Sequence, residues 1–222
     1  INSRYYLDKR QTLGPLDQFK YINSTSFINA GYHQTKLYGS DRESAHFGGT
    51  HFMGKWRIGG TYSKWSNKDN RGNSHSSNLS LGYFISDNFL VKYSKNNYSH
   101  SGDSGGLSMQ YNHQINDKDY LGFSLDSDKN AGVTYFSHLG EERYLKMNIN
   151  YYDDAMNSKW STNVQYYFNN KTSLFANYHD DKVRSIGAKY FINNNFALSA
   201  SYNPEYNNDT NDAYRLALTA QF

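Results

Sequence analysis

Apolar and polar residues alternate along almost the whole chain. Asn78–Ile85 shows the pattern plainly: Leu79, Leu81, Tyr83 and Ile85 occupy one set of positions, and Asn78, Ser80, Gly82 and Phe84 the other. A period of two sends successive side chains to opposite faces of an extended strand. The alternation recurs at Ala45–Met53, Trp56–Trp65, Phe89–Tyr98, Leu107–Tyr111, Leu121–Leu125, Val133–Leu139, Leu145–Tyr151, Trp160–Phe168, Leu174–Tyr178, Ile186–Ile192, Phe196–Tyr202 and Tyr214–Phe222. Ser3–Lys9 and Ser24–Gln34 add two more at the beginning. Fifteen strands are therefore predicted, each of about 9–11 residues, the length of a tilted membrane strand.

The predicted connections alternate in character. Those following Ile85, Ile115, Leu139, Phe168 and Ile192 are short, whereas Asn67–Ser76, Asp153–Lys159 and Asn203–Asp212 are longer and rich in Asp, Asn and Ser. Short turns at one end and longer loops at the other are the asymmetry of an outer-membrane barrel, and a soluble sandwich has no reason to show it. Gly14-Pro15-Leu16-Asp17 reads as one more turn, with proline supplying its fixed φ. Leu37–Arg42 reads as a loop. No connection is long enough for a globular plug, and Asn67–Ser76 could at most fold in as a constriction.

Two stretches resemble known proteins. In Tyr214–Phe222 the residues Tyr214, Leu216, Leu218, Ala220 and Phe222 share a face and end on an aromatic residue. This resembles the final strand that the barrel-assembly machinery of Gram-negative bacteria reads. Tyr5-Tyr6-Leu7-Asp8, then Gly14-Pro15-Leu16, Phe19 and the alternating Ser24–Tyr32 segment resemble the opening of the small Gram-negative porins, the family that includes the 33–36 kDa outer-membrane porin of Acinetobacter. The resemblance implies a transmembrane antiparallel up-and-down β-barrel over residues 1–222 as one domain. It also implies a Gram-negative outer-membrane location and a strand upstream of Tyr5.

Composition sharpens this. Mean hydropathy is −0.88, yet aromatics make up 17% of the chain, with 22 Tyr and only 2 Pro. Disordered chains are poor in aromatics, and a barrel needs apolar residues only at alternate positions. No apolar run is long enough for a membrane-spanning helix. The absence of Cys excludes disulfide frameworks and thiolate chemistry. A net charge of +3, carried by scattered basic residues, does not argue for nucleic acid.

With the apolar set facing lipid, the other set faces inward and is mostly neutral and hydrogen-bonding. Its titratable members are Arg57, Lys92, Asp126, His138, Lys146, His179, Lys189 and Arg215. The basic residues outnumber the acid, which would enrich anions in a narrow aqueous pore. The competing reading is that loop carboxylates fold inward and pair with the cations. Inward Phe84, Phe136, Phe175 and Phe191 are odd for a wide pore and would narrow it or join the terminal aromatic girdles.

Chemistry elsewhere is weak. His179-Asp180-Asp181, with Asp153 and Asp154, could activate a water, but scattered His and Asp make chance adjacency expected. Asp126 with Asp128, and Asp209 with Asp212, could hold a hard cation beside lipopolysaccharide phosphates, though none has a dedicated calcium-loop spacing. No cofactor, metal site or enzymatic activity is expected. The expected function is a passive channel for small hydrophilic solutes or ions, mildly anion-preferring, in contact with outer-membrane lipid and lipopolysaccharide. The alternative is a surface protein (hydrolase, adhesin or phage receptor) acting through its loops. Strand counting leaves the Tyr5 strand parallel to the last one, so the expected barrel has sixteen strands with one preceding Ile1, or else fourteen.

Overall fold

The computed structural model describes residues 2–9, 11–37, 40–67, 73–99, 102–153, 158–180, 184–204 and 213–221. Phe222, Asp154, Asp181, Asp209, Asp212 and residues 68–72 of the Asn67–Ser76 loop lie outside them. Fifteen strands follow one another: β1 (Asn2–Tyr6), β2 (Phe27–Leu37), β3 (Ser40–Met53), β4 (Trp56–Asn67), β5 (Ser74–Ser86), β6 (Phe89–Tyr98), β7 (Gly102–Gln114), β8 (Tyr120–Asp126), β9 (Ala131–Gly140), β10 (Arg143–Tyr152), β11 (Lys159–Tyr167), β12 (Thr172–His179), β13 (Arg184–Phe191), β14 (Phe196–Asn203) and β15 (Ala213–Gln221). Each lies beside its sequence neighbours, and β15 lies beside β1, the order of a closed barrel.

Closure departs from the all-antiparallel expectation. β1 runs parallel to β15, pairing Asn2 with Thr219, Ser3 with Ala220 and Arg4 with Gln221, while its other edge pairs antiparallel with β2. A parallel ladder still pairs the backbone groups of both strands, with slanted, evenly spaced hydrogen bonds that are slightly less stable per residue. One parallel seam therefore closes an odd number of strands. β1 is shorter than the expected Ser3–Lys9, β2 starts at Phe27 rather than Ser24, and β2 and β3 extend into the expected Leu37–Arg42 loop.

Three of the short turns owe their shape to side-chain acceptors. Asn116 Oδ1 accepts from the amides of Lys118 and Asp119 at 2.9 Å. Asn169 repeats the arrangement with Lys171 and Thr172, and Asn193 with Asn195 and Phe196. An Asn side chain that captures amides two and three residues on replaces a backbone turn, which is why Asn recurs there.

The chain divides into two compact units, Ile1–Arg10, Ser24–Ser108 and Thr219–Phe222 in one, Gln11–Asn23 and Met109–Leu218 in the other. In both, the apolar set lies on the exposed face, as with Leu79 (69% exposed) in the first and Leu216 (74%) in the second. The opposite, inner face of the first unit holds Arg57, whose guanidinium donates to Ser80 Oγ at 2.9 Å and Thr50 Oγ1 at 3.2 Å. The inner face of the second unit carries a buried cluster of Tyr120, Phe136, Tyr144 and Tyr167, with Leu13 and Tyr21 packed against it.

Candidate functional site

Leu13 and Tyr21 belong to the connection between β1 and β2, which is not a simple turn. Tyr6 and Phe27 are directly opposite each other, and Leu7 N donates to Ser26 O at 2.9 Å. The residues between form an excursion from that neck. Its Gln11–Asn23 portion lies against the inner face of the second unit, at the end where the short turns are. The turn expected at Gly14–Asp17 is thus one part of a longer inward-packed segment.

The excursion is built to be buried. Pro15 is fully buried, and Gln18 and Ile22 are nearly so. Leu13 N donates to Gln18 O at 2.9 Å and Gln18 N to Pro15 O at 3.0 Å, closing a compact loop. Leu16 N reaches the turn after β11 and donates to Asn170 O at 2.9 Å. Gln18 Nε2 donates to Tyr167 Oη at 2.6 Å, so two buried polar groups satisfy each other. Tyr21 packs on Tyr120 with ring centroids 5.8 Å apart, and Phe136, fully buried, stacks between Tyr120 (5.6 Å) and Tyr144 (5.7 Å). Burial pushes the Tyr21 hydroxyl pKa up, partly offset by its hydrogen bond with Ser124.

Two glycines make room. Gly14 has φ +138°, a conformation that L side chains rarely adopt, and a Cβ there would collide with the Tyr144 ring. A Cβ on Gly122 would enter the Tyr21 ring. Gly122→Val is therefore expected to eject Tyr21 while leaving β8 paired. Trypsin cleavage after the exposed Lys20 should accelerate in the variant, and an unchanged rate would contradict the packing.

The residues expected to line the interior have separate fates. Lys189 Nζ lies 2.7 Å from Asp17 Oδ2, with side chains only 22% and 15% exposed. Lys146 is close enough for both of those charges to act on it. These two predicted cations are thus brought together, around a carboxylate that the sequence reading placed in a turn. Arg57 is held by hydroxyls, as above, and Lys92 stands opposite Gly82 on β6. Asp126 is occupied with its own loop, accepting from the amides of Asp128 and Asn130 and from Asn130 Nδ2. His138 sits at the short-turn end, with its ring bonded to Glu141 O at 2.7 Å and 4.9 Å from the Tyr144 ring. His179 ends β12 opposite Ser161, and Arg215 is exposed on β15.

Asp180, from the His179-Asp180-Asp181 stretch, is engaged with the neighbouring strand. Its carboxylate accepts from Trp160 N at 2.9 Å and its amide donates to Trp160 O at 3.1 Å, so it clamps the end of the β11–β12 pair. Among the described residues no cluster of His and carboxylates could hold a metal ion.

Asp17, Gln18 and Tyr21 were missed as interior residues. Their signals were the unusual length of the β1–β2 connection at the short-turn end, its apolar Leu13, Leu16, Phe19 and Ile22, and the inward Phe136 and Phe191. Those two phenylalanines are 0% and 3% exposed, and the excursion explains the first.

Residues 1–222 match the family described as "Putative general bacterial porin". The chain belongs to that porin family. No curated protein matches the porin. Among solved structures it is similar to the Acinetobacter baumannii outer membrane protein Omp33, with 12% identity and a TM-score of 0.54, over 88% of this chain and 96% of that one. At that identity the likeness is one of fold, and it agrees with the all-β barrel described above.

Proposed function

We propose that this porin is a passive outer-membrane diffusion channel for small hydrophilic solutes or ions, narrowed at the short-turn end by the β1–β2 excursion. The observation carrying the reading is the division of the strands into an exposed apolar face and a polar inner one, an arrangement that suits lipid outside and water inside. Aromatic residues at the strand ends support it. Trp56 meets Tyr83 edge-on at 4.8 Å near one end of β4 and β5, and Trp160 lies 5.0 Å from Tyr178 at the loop end of β11 and β12. Trp and Tyr favour both membrane–water interfaces. Tyr214, Leu216 and Leu218 are 80%, 74% and 55% exposed. With Ala220 and Phe222 they are proposed as the strand that the assembly machinery reads, and with the rest of the apolar face as a lipid contact, with lipopolysaccharide against the outer leaflet. Single-channel recording in planar bilayers tests the channel, since a sealed barrel gives no current steps.

Any anion preference should be slight, because Asp17 neutralises part of the basic interior. Asp17→Asn leaves both Lys189 and Lys146 without that carboxylate. Its reversal potential in a salt gradient is expected to shift toward the anion value, and Lys189→Met in the same background should move it back. A shift toward the cation value would refute the assignment of Lys146 and Lys189 to the conducting interior.

A further inference from the structure

Thr134, Asn148, Asn163, Asn177 and Ser185 stand on the consecutive strands β9 to β13, each directly opposite the next in register. Their side chains form one head-to-tail chain across the inner face of the second unit. Thr134 Oγ1 donates to Asn148 Oδ1 (2.8 Å), Asn148 Nδ2 to Asn163 Oδ1 (3.2 Å), Asn163 Nδ2 to Asn177 Oδ1 (2.6 Å) and Asn177 Nδ2 to Ser185 Oγ (2.8 Å). The order is self-consistent: turning the Asn163 amide over would set N–H against N–H on one side and oxygen against oxygen on the other. Aligned hydrogen bonds of this kind polarise one another.

A carboxamide has two N–H donors and two acceptor lone pairs. The chain uses one of each on every Asn and leaves one of each free. All three asparagines are half-buried, so the free groups are reachable from the interior. Asn148 lies at mid-strand in β10 and the row contains no charged side chain. Lys146 and Asn150 flank it, and Asn150 extends the neutral surface by donating to Ser161 Oγ at 3.5 Å.

The direction of the chain matters for what it can hold. Its dipoles lie along the sheet, from β9 to β13, and so have little component pointing toward a passing ion of either sign. A hydroxyl donates and accepts at the same atom. A molecule bearing several hydroxyls can fill the free donor and acceptor of neighbouring asparagines together, exchanging for water at little enthalpic cost. Strand spacing repeats the pair every ~4.8 Å, so such a molecule meets an equivalent partner at each step across the row.

We infer that the Thr134–Asn148–Asn163–Asn177–Ser185 row is a weak binding track for small uncharged polyols. The inference rests on the channel reading and specifies one class of solute for it.

The test is the KCl current of the full chain in planar bilayers, titrated with erythritol and corrected for bulk conductivity. The unchanged protein should show a saturating reduction. Asn163→Leu, which interrupts the row at its centre, should need several-fold more erythritol for half-effect, each current being referred to the same protein's own erythritol-free value. Asn163→Ser keeps a donor and an acceptor and should lie between. It also serves as the test if the leucine variant does not fold. A reduction that tracks bulk conductivity in the unchanged protein overturns the inference, as does equal half-effect in the unchanged protein and the variants. Absence of current steps in the unchanged protein overturns the channel reading itself, and the inference with it.

Discussion

Replacing residues 8–25 with Asn-Gly is expected to raise single-channel conductance several-fold while preserving the barrel. Leu7 and Ser26 already form the neck of the excursion, with a hydrogen bond of 2.9 Å. Asn-Gly suits the tight turn that two antiparallel strands need at such a neck. What the replacement removes is a compact body of side chains lying on an inner face, anchored by the Asp17–Lys189 pair, the Gln18–Tyr167 hydrogen bond and the Tyr21–Tyr120 ring contact. Conductance of a water-filled pore rises with the cross-section at its narrowest point, so the gain measures how much of that section the excursion occupies. Strand content by circular dichroism controls for folding. Conductance equal to that of the unaltered chain in a folded variant would show that the narrowest point lies elsewhere. The variant should also be less stable, because Tyr120, Phe136 and Tyr167 lose apolar cover.

Phe136→Ala should be among the most destabilising single substitutions, by about 3–5 kcal/mol, the range for deleting a buried aromatic ring. Phe136 is fully buried and stacked on both sides. The space left would be lined by Tyr120 and Tyr144, whose rings are themselves fixed by Tyr21 and by the close approach at Gly14. Collapse into the gap is therefore restricted, and a site that cannot collapse retains most of the cavity cost. Urea unfolding in detergent micelles, followed by tryptophan fluorescence, reads the change as a lower midpoint at unchanged slope. A loss below about 1 kcal/mol would mean that the ring is not part of a packed core.

The alternation of Leu79, Leu81 and Tyr83, or of Trp160, Thr162, Val164 and Tyr166, made strands and faces legible because a strand needs only its own residues to declare a period. The side chosen by each connection was legible for the same local reason. The excursion was not. Leu13, Leu16, Phe19 and Ile22 recur every third residue rather than every second, so they declare no strand, and the groups that bury them lie far along the chain. The Gln18–Tyr167 bond spans 149 residues and the Asp17–Lys189 pair 172. Closure was not legible for a different reason: alternation reveals which face a residue takes but not the direction of the neighbouring strand, so the parallel seam between β1 and β15 left no mark in the sequence. The amide row falls between these cases. Its asparagines were recognisable as inward and polar, but only the register puts Asn148, Asn163 and Asn177 side by side.

Those long separations also have a kinetic meaning. The excursion precedes in sequence the surface that holds it, which is assembled from β8 to β13. Contacts so distant in sequence carry a large loop-closure cost before they yield any stabilisation. Docking of the excursion should therefore be one of the last events in folding, after the hairpins around Asn116, Asn169 and Asn193 have formed from local contacts. The barrel then passes through a stage in which its interior is wetter and more open than in the finished protein, with Tyr120, Phe136 and Tyr167 exposed to water.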